Sequence, residues 1–425
     1  MKIKGLRWYV AGLICLTTAL NYMDRQTLAL LTQTLKKELG ITTTQYSYVI
    51  AAFLTSYTIM YAVSGRLIDY LGTRKGFAIF VAGWSVVDMM HMFARTVGQF
   101  AVCRFFLGAT EPANFPAGIK TVSEWFPMRE RALAVGIFNS GTAIGAAFAA
   151  PMVAWITLHF GWRYTFVVGA VLSILWVITW LLFYRVPQQH PLITAEELRL
   201  IEENQPAPTH SRTVPVLEIL KTREAWGCIL ARMLTDPISY FLMFWIPTYF
   251  QQERGFDLKA TGEFLWIPYV GLALGNLAGG AIPGYLSRHG WSLNRSRKTT
   301  MFVASLMIPT CFVMITRVPN PVAAVACITV AMFFHAAWAN MTLPAEVFEK
   351  HVVGSVAGFG GAMGSLVGAI TMLLIGRTVT VGSFTPVFII YSALPMTAFV
   401  IVCALIKELG CVRVLSDAEA RPTTN

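Results

Sequence analysis

Two stretches put ionisable side chains inside long apolar runs. "ALNYMDRQTLA", residues 19–29, holds Asn21, Tyr22, Asp24 and Arg25 within a run that begins near Trp8. "RFFLGATEPANFP", residues 104–116, holds Arg104 and Glu111. At bilayer depth a charge costs about 2.5–3.5 kcal/mol on insertion scales, so such groups face a protein interior or an aqueous cavity rather than lipid. Arg104 and Glu111 stand two helical turns apart on one face, about 10 Å along the axis. That is too long for a direct bond but suits two levels of one water-filled cavity. The planar guanidinium of Arg104 can hold a carboxylate through two parallel hydrogen bonds and keeps its proton at any ordinary pH. A carboxyl withdrawn from water, as at Glu111, can take up and release a proton near neutral pH. Anion binding beside proton exchange is the chemistry of a coupled carrier; a purely structural ion-pair network is the alternative.

Asp24 and Arg25 allow two readings. They either end the first helix among outer headgroups or line the same cavity. "TLALLTQTL" continues the helical apolar pattern beyond them, and Asn21, Asp24 and Arg25 share one side at spacings of three and four. Farther along, Arg232 and Asp236 are four apart and are expected to pair with each other, with Pro237 breaking the ladder next to them. Tyr240, Trp245 and Tyr249 fit either an interfacial belt or a sugar-facing wall. "HAAWAN" offers His335, Trp338 and Asn340, and Tyr57 and Asn139 are weaker polar candidates. Gly360, Gly364 and Gly368 form a small-residue stripe of the kind that packs helices closely.

The elements that must position these groups follow from composition. The chain has 425 residues, 56% hydrophobic and 13% charged, with mean hydropathy +0.59. A soluble protein carries about 25% charged residues, so this chain is an integral membrane protein. The start "MKIKGLRWYVAGL" has a basic flank but no small-residue cleavage site follows, and it reads as the first membrane helix. The net charge of +11 follows from basic cytoplasmic loops, and no basic tract interleaved with aromatics points to nucleic acid. The seven cysteines form no CxxC pair and read as small buried hydrophobes. No nucleophile–base pair, metal cluster or cofactor loop appears, so an enzyme is not expected.

Spans are predicted at about 8–30, 44–68, 76–94, 97–120, 131–157, 163–184, 225–250, 260–287, 299–316, 321–342, 352–376 and 384–406. Twelve helices place both termini on one side. Of the 33 Lys and Arg, 21 fall on that side and eight on the other, which predicts cytoplasmic termini. The loop 185–224 divides the chain into an N-terminal six-helix bundle, 1–184, and a C-terminal one with its tail, 225–425. Within the loop, Thr194 and Glu197 in "TAEELRLIEE" predict a capping box opening a short amphipathic helix.

Between the second and third spans stands "GRLIDYLGTRKG". Its Gly65, Asp69, Gly72, Arg74 and Lys75 resemble the loop signature of the major facilitator superfamily. The second-half copy, "GAIPGYLSRHGWSLNRSRK", is loose, with Gly280 at the place of Gly65 and Gly284 at that of Asp69. "NYMDRQ", "RFFLGATEPANFP", "DPISYFLMFWIPTYF" and "LPAEVF" narrow the resemblance to the anion:cation symporters, and within them to bacterial hexuronate and related sugar-acid transporters. The resemblance covers nearly the whole chain. It implies two six-helix bundles, alternating access, and import of a sugar-acid anion with protons as the coupling ion. It also implies no other cofactor, a monomer in the lipid bilayer, and a bacterial inner-membrane location. Carried over residue by residue, Arg25 and Arg104 would hold the carboxylate. Tyr22, Tyr57, Asn139, His335, Trp338 and Asn340 would meet the rest of the substrate. Asp24 and Glu111 would carry protons, two per anion. Gly65, Asp69 and Arg74 would form the cytoplasmic latch. Gly361 and Ser365 stand where related carriers place an amide. An aldonate or aldarate importer is the nearest alternative. A proton-driven exporter is disfavoured by two arginines beside the carboxylates, and a transporter-shaped sensor by the lack of a signalling domain.

Overall fold

The computed structural model describes residues 2–203, 216–338, 343–348 and 350–409. The chain is all-helical among these residues, apart from one isolated bridge between Ile3 and Ile193. In order come α1 (Leu6–Leu30), α2 (Thr32–Leu39), α3 (Thr43–Leu71), α4 (Thr73–Met90), α5 (Val97–Thr110), α6 (Asn114–Trp125), α7 (Met128–Phe160) and α8 (Arg163–Phe183). The short α9 (Ala195–Glu203) and α10 (Val216–Ile219) belong to the central loop. Then follow α11 (Arg223–Phe244), α12 (Ile246–Glu253), α13 (Leu258–Phe264), α14 (Ile267–Arg288), α15 (Leu293–Arg317), α16 (Pro321–Ala337), α17 (Leu343–Val347), α18 (Lys350–Val381) and α19 (Thr385–Leu405).

Among the described residues, eight helical segments are long and apolar enough to cross a membrane, and α11 with α12 makes a ninth if that pair, bent by 50°, is one span. The other three expected spans miss the criterion for physical reasons. The first, α1, carries the polar cluster. The fourth is divided by a 3-10 turn, Glu111–Ala113, where Pro112 cannot donate to the preceding turn. The tenth, α16, has 17 residues. The structure also moves the bend in the seventh span. α11 runs through Pro237 without a break, and the chain turns at Trp245 instead, where Pro247 opens α12.

The chain groups into two compact units. The first comprises 1–208 with 243–270 and 372–381; the second comprises 209–242, 271–371 and 382–425. Within the first, α7 meets α1 through glycines: a side chain at Gly141 or Gly145 would run into the carbonyls of Cys15 and Ala19. Ser56 of α3 donates to the carbonyl of Phe105 on α5, and Gly108 lets that pair approach. Trp176, Trp180 and Tyr184 stack along α8, with centroids 5.0 and 4.0 Å apart. Segments from the second half of the chain belong here because their ends dock on α1, α3 and α7. Tyr46 donates to the carbonyl of Phe244 at 2.9 Å, Gln251 to that of Leu30 at 3.0 Å, and Thr44 lies 3.0 Å from Thr380. Gly262 of α13 packs on Ala154. At the same end Lys36 of α2 donates to Thr43 at 2.6 Å, and burial pushes its ammonium down to about 8.

The predicted capping box is only half formed. Thr194 accepts from the Glu197 amide at 3.2 Å, but the Glu197 carboxylate is used elsewhere. It accepts from the backbone amides of Leu6 and Arg7, each at 3.1 Å, and pairs with the Arg7 side chain at 2.8 Å. α1 begins at Gly5 with no side-chain cap of its own, so a carboxylate from the loop supplies one. Arg7 also binds Glu130 at 2.7 Å. Glu197→Ala should therefore lower the thermal midpoint by an amount matching a lost charged cap, about 1–3 kcal/mol. An unchanged midpoint in purified protein would show that the cap contributes nothing.

Candidate functional site

The first unit buries a cluster of charges contributed by four elements. α1 brings Asn21, Asp24 and Arg25; α4 brings Asp88; α5 brings Arg104; and the 3-10 turn after α5 brings Glu111. Asp24, Arg25, Asp88, Arg104 and Glu111 are exposed by only 1, 2, 1, 2 and 0%. The break at Pro112 explains the position of Glu111, since it ends α5 there and starts α6 at Asn114. Asn114 in turn donates to Thr18 of α1 at 3.0 Å, tying the two elements together.

Arg25 donates through Nε to Glu111. The Arg25 guanidinium carbon lies 4.7 Å from the ring centre of Tyr57, 4.9 Å from Tyr22 and 5.6 Å from Phe53. Cation–π attraction of this kind is worth up to about 2 kcal/mol when desolvated. Arg104 differs. Its Nε and Nη2 are buried without a hydrogen-bond partner, although Asp88, Glu111, Tyr46 and Asp24 act on its charge. A buried guanidinium with unmet donors is costly, and a carboxylate ligand is the group that would meet them. Both polar atoms of the Asn21 side chain are likewise buried and unpartnered.

Asp88 and its neighbour His91 were not singled out from the sequence. The signal was present: a lone carboxylate in the apolar run "FAIFVAGWSVVDMMHMFA", residues 77–94, is as costly as Asp24. His91 stacks on Phe166 with centroids 4.9 Å apart. Its Nδ1 lies 3.0 Å from the Val87 carbonyl and 3.3 Å from that of Asp88, and its Nε2 is buried without a partner. The two carbonyls put a proton on Nδ1, and a second proton on Nε2 would be a buried charge with no acceptor, so the neutral form is the one this setting favours.

Of the residues singled out from the sequence, Tyr22, Asp24, Arg25, Tyr57, Arg104 and Glu111 gather in this cluster. Asn139 of α7 is exposed, unlike the buried residues of the cluster. In the second unit, His335 approaches Ser239 through Nε2 at 2.6 Å. Trp338 sits in the apolar core and donates its indole N–H to Ser305 at 2.8 Å. Asn340 lies outside the described residues. Asp69 and Arg74 do not pair with each other: Lys120 bonds Asp69 at 2.8 Å, and Arg74 donates to the Leu181 carbonyl. Gly65 faces Pro116 of α6. Both links join helices of the first unit.

Arg232 and Asp236 pair as expected, at 2.8 Å, with Arg232 also donating to the Ala357 carbonyl at 2.9 Å. The glycine stripe explains how. Gly360, Gly364 and Gly368 on α18 stand opposite Arg232, Asp236 and Tyr240 on α11, one glycine per side chain. A methyl group at Gly364 would come within 2.9 Å of the Asp236 Cβ, which that packing cannot accept. Tyr240 reaches Ser365 at 2.8 Å. The stripe thus makes room for polar side chains rather than for a bare helix backbone. A separate groove of about 890 Å³ between α7 and α13 is lined by Phe148, Trp155, Leu158 and Trp266 with Lys259 and Glu263. It is apolar and does not reach the charge cluster.

The family model described as Major Facilitator Superfamily matches residues 14–372. The chain is 35% identical over 428 residues to the hexuronate transporter of Escherichia coli (strain K12), covering 99% of each chain. It is 37% identical over 311 residues to the galacturonate transporter of Dickeya chrysanthemi, covering 72% of this chain and 90% of that one. Among solved structures it resembles a bacterial homologue of the human lysosomal transporter Spinster, in an inward-facing and unoccupied conformation. The TM-score is 0.69 at 16% identity, over 95% of this chain and 96% of the other. That last likeness concerns the fold alone.

Proposed function

The chain belongs to the Major Facilitator Superfamily, and we propose that within it the protein imports a sugar acid, a hexuronate, together with protons. Membership makes it a multi-pass membrane transporter rather than an enzyme. Support for the substrate comes from the hexuronate and galacturonate transporters to which the chain is similar. The observation that carries it on this chain is Arg104, buried with two unmet donors in the cluster that also holds the buried Arg25 and Glu111. A carboxylate fits that arrangement; a cation does not.

Arg25 and Glu111 supply the coupling. While Glu111 is ionised it occupies Arg25. When Glu111 takes a proton, it stops competing, and Arg25 is released toward the incoming carboxylate. Anion and proton then enter the dry site as a neutral set, which avoids the cost of an uncompensated buried charge. Tyr22 and Tyr57, whose rings flank Arg25, present phenols to sugar hydroxyls. The excess of basic residues supports cytoplasmic termini, in a bacterial inner membrane. The links Asp69–Lys120 and Arg74–Leu181 then lie at the cytoplasmic end, as parts of the latch.

The test is a binding and uptake series on purified, reconstituted protein. Glucuronate and galacturonate should raise the thermal midpoint, by about 2.7 kcal/mol of stabilisation at a hundredfold excess over Kd. Neutral glucose should not. With the outside acidified, labelled glucuronate should accumulate. A response confined to galactonate or glucarate would reassign the substrate to an aldonate or aldarate. Accumulation of a cation, or none under any pH gradient, would overturn coupled sugar-acid import.

A further inference from the structure

Asp88 alters the charge balance of the cluster. On α8, Gly169 leaves a notch between two carboxylates. A Cβ there would lie 2.7 Å from Asp24 Oδ1 and 3.0 Å from Asp88 Oδ2, which puts the two carboxylates within about 6 Å of each other, a range at which like charges oppose ionisation. Asp24 Oδ2 and Asp88 Oδ1 are both buried without a partner. Two dry carboxylates so placed cannot both stay charged at low cost.

We propose that Asp24 and Asp88 share one resident proton across the Gly169 notch, and that this proton stays with the carrier through the cycle. The other groups facing the pair leave no alternative source of balance. Arg25 and Arg104 are positive, and Glu111 is negative. His91 is counted as neutral, because a second proton on its buried, unpartnered Nε2 would be an uncompensated charge. Tyr22, Tyr46, Tyr57 and Cys103 are neutral near pH 7. α8 brings Gly169 and Ser173, and α7 meets α1 through glycines. With all acids ionised, three negative charges face two positive ones. One shared proton makes the empty cluster neutral. A monovalent anion adds one negative charge, and a second proton, on Glu111, restores neutrality. Only the second proton is carried, so one proton moves per anion and no net charge crosses. This replaces the two protons per anion expected from Asp24 and Glu111 alone.

The transport count rests on the coupled reading above; the shared proton does not. It is read by infrared spectroscopy of substrate-free protein at pH 7, through the carbonyl stretch of a protonated, buried carboxylic acid. The other buried carboxylates described, Glu111, Glu197 and Asp236, are paired with arginines and contribute none. Wild type should show the band. Asp88→Asn and Asp24→Asn should each abolish it, because the remaining carboxylate is then balanced by the arginines. Gly169→Ala, whose methyl enters the notch, should shift or remove it without deleting an acid. A wild type lacking the band, or a band that survives both asparagine variants, overturns the proposal. In proteoliposomes, wild type should carry one proton per glucuronate and ignore an inside-negative potassium potential. Voltage-driven uptake overturns the count while leaving the band to decide the shared proton. Absence of any pH-driven uptake defeats the coupled reading instead.

Discussion

Arg104→Lys should cost most of the substrate affinity although the charge is kept. Arg104 lies buried with Nε and Nη2 unmet, and its value to a carboxylate is the pair of parallel N–H donors. A lysine ammonium is a point charge on a flexible stem and cannot reproduce that fork. Losing one charge-assisted hydrogen bond costs about 1.5–3 kcal/mol, so binding should weaken roughly tenfold to hundredfold. Folding should survive, because Arg104 bonds no protein group through those two nitrogens. The measurement is paired: glucuronate affinity by thermal shift, and uptake in cells lacking other carriers. Near-normal values for both would remove Arg104 from the site.

For Glu111→Gln, the expected result is a split between two activities. The glutamine imitates the protonated acid permanently and no longer occupies Arg25 with a charge, so substrate still binds. The empty carrier, however, cannot release a proton and is left with uncompensated positive charge. It should fail to return, and net proton-driven uptake should fall to background. Exchange of labelled for unlabelled glucuronate needs no empty return and should persist. A purely structural Glu111 predicts a different pattern. Breaking a buried pair costs about 3–5 kcal/mol, so the variant should fold poorly and lose both activities together. Counterflow and pH-driven uptake on one reconstituted preparation separate the two. Retained pH-driven uptake would move the coupling proton away from Glu111.

Asp24, Arg25, Arg104 and Glu111 were legible because a charge inside an apolar run has no cheap explanation in a bilayer. The same argument applies to Asp88 with equal force, although it stands as the one carboxylate of its run, with no second charged side chain at helical spacing to mark a shared face. Hydropathy alone marks eight of the expected spans among the described residues, and a ninth as a bent pair. Three spans that miss a length-and-hydropathy criterion do so for causes visible in the chain: the polar cluster of α1, Pro112, and the short α16. The bend of the seventh span was misplaced because two prolines compete. Pro237 is accommodated inside α11, while Pro247 sits at the start of α12, where its missing N–H costs nothing.

Which residue answers which lay beyond the sequence. Spacing of seven on one helix set Arg104 and Glu111 at two levels, yet only packing assigned Glu111 to Arg25 on α1 rather than to Arg104. A capping box is a local pattern, and locally Glu197 satisfied it. In the fold its carboxylate serves the uncapped start of α1 instead, because two free amides and an arginine outbid one amide of its own helix. Asp69 and Arg74 are close in sequence but find Lys120 and Leu181. The glycines at 360, 364 and 368 declared a close approach by their spacing, but not that Arg232, Asp236 and Tyr240 would fill it. Likewise nothing about Gly169 alone marks the notch between Asp24 and Asp88. The sequence by itself determined which groups are too costly to meet lipid, since burial of a charge is a property of the run that contains it. Their partners were decided only by tertiary structure, because a partner is set by distances between helices, and no residue encodes those alone.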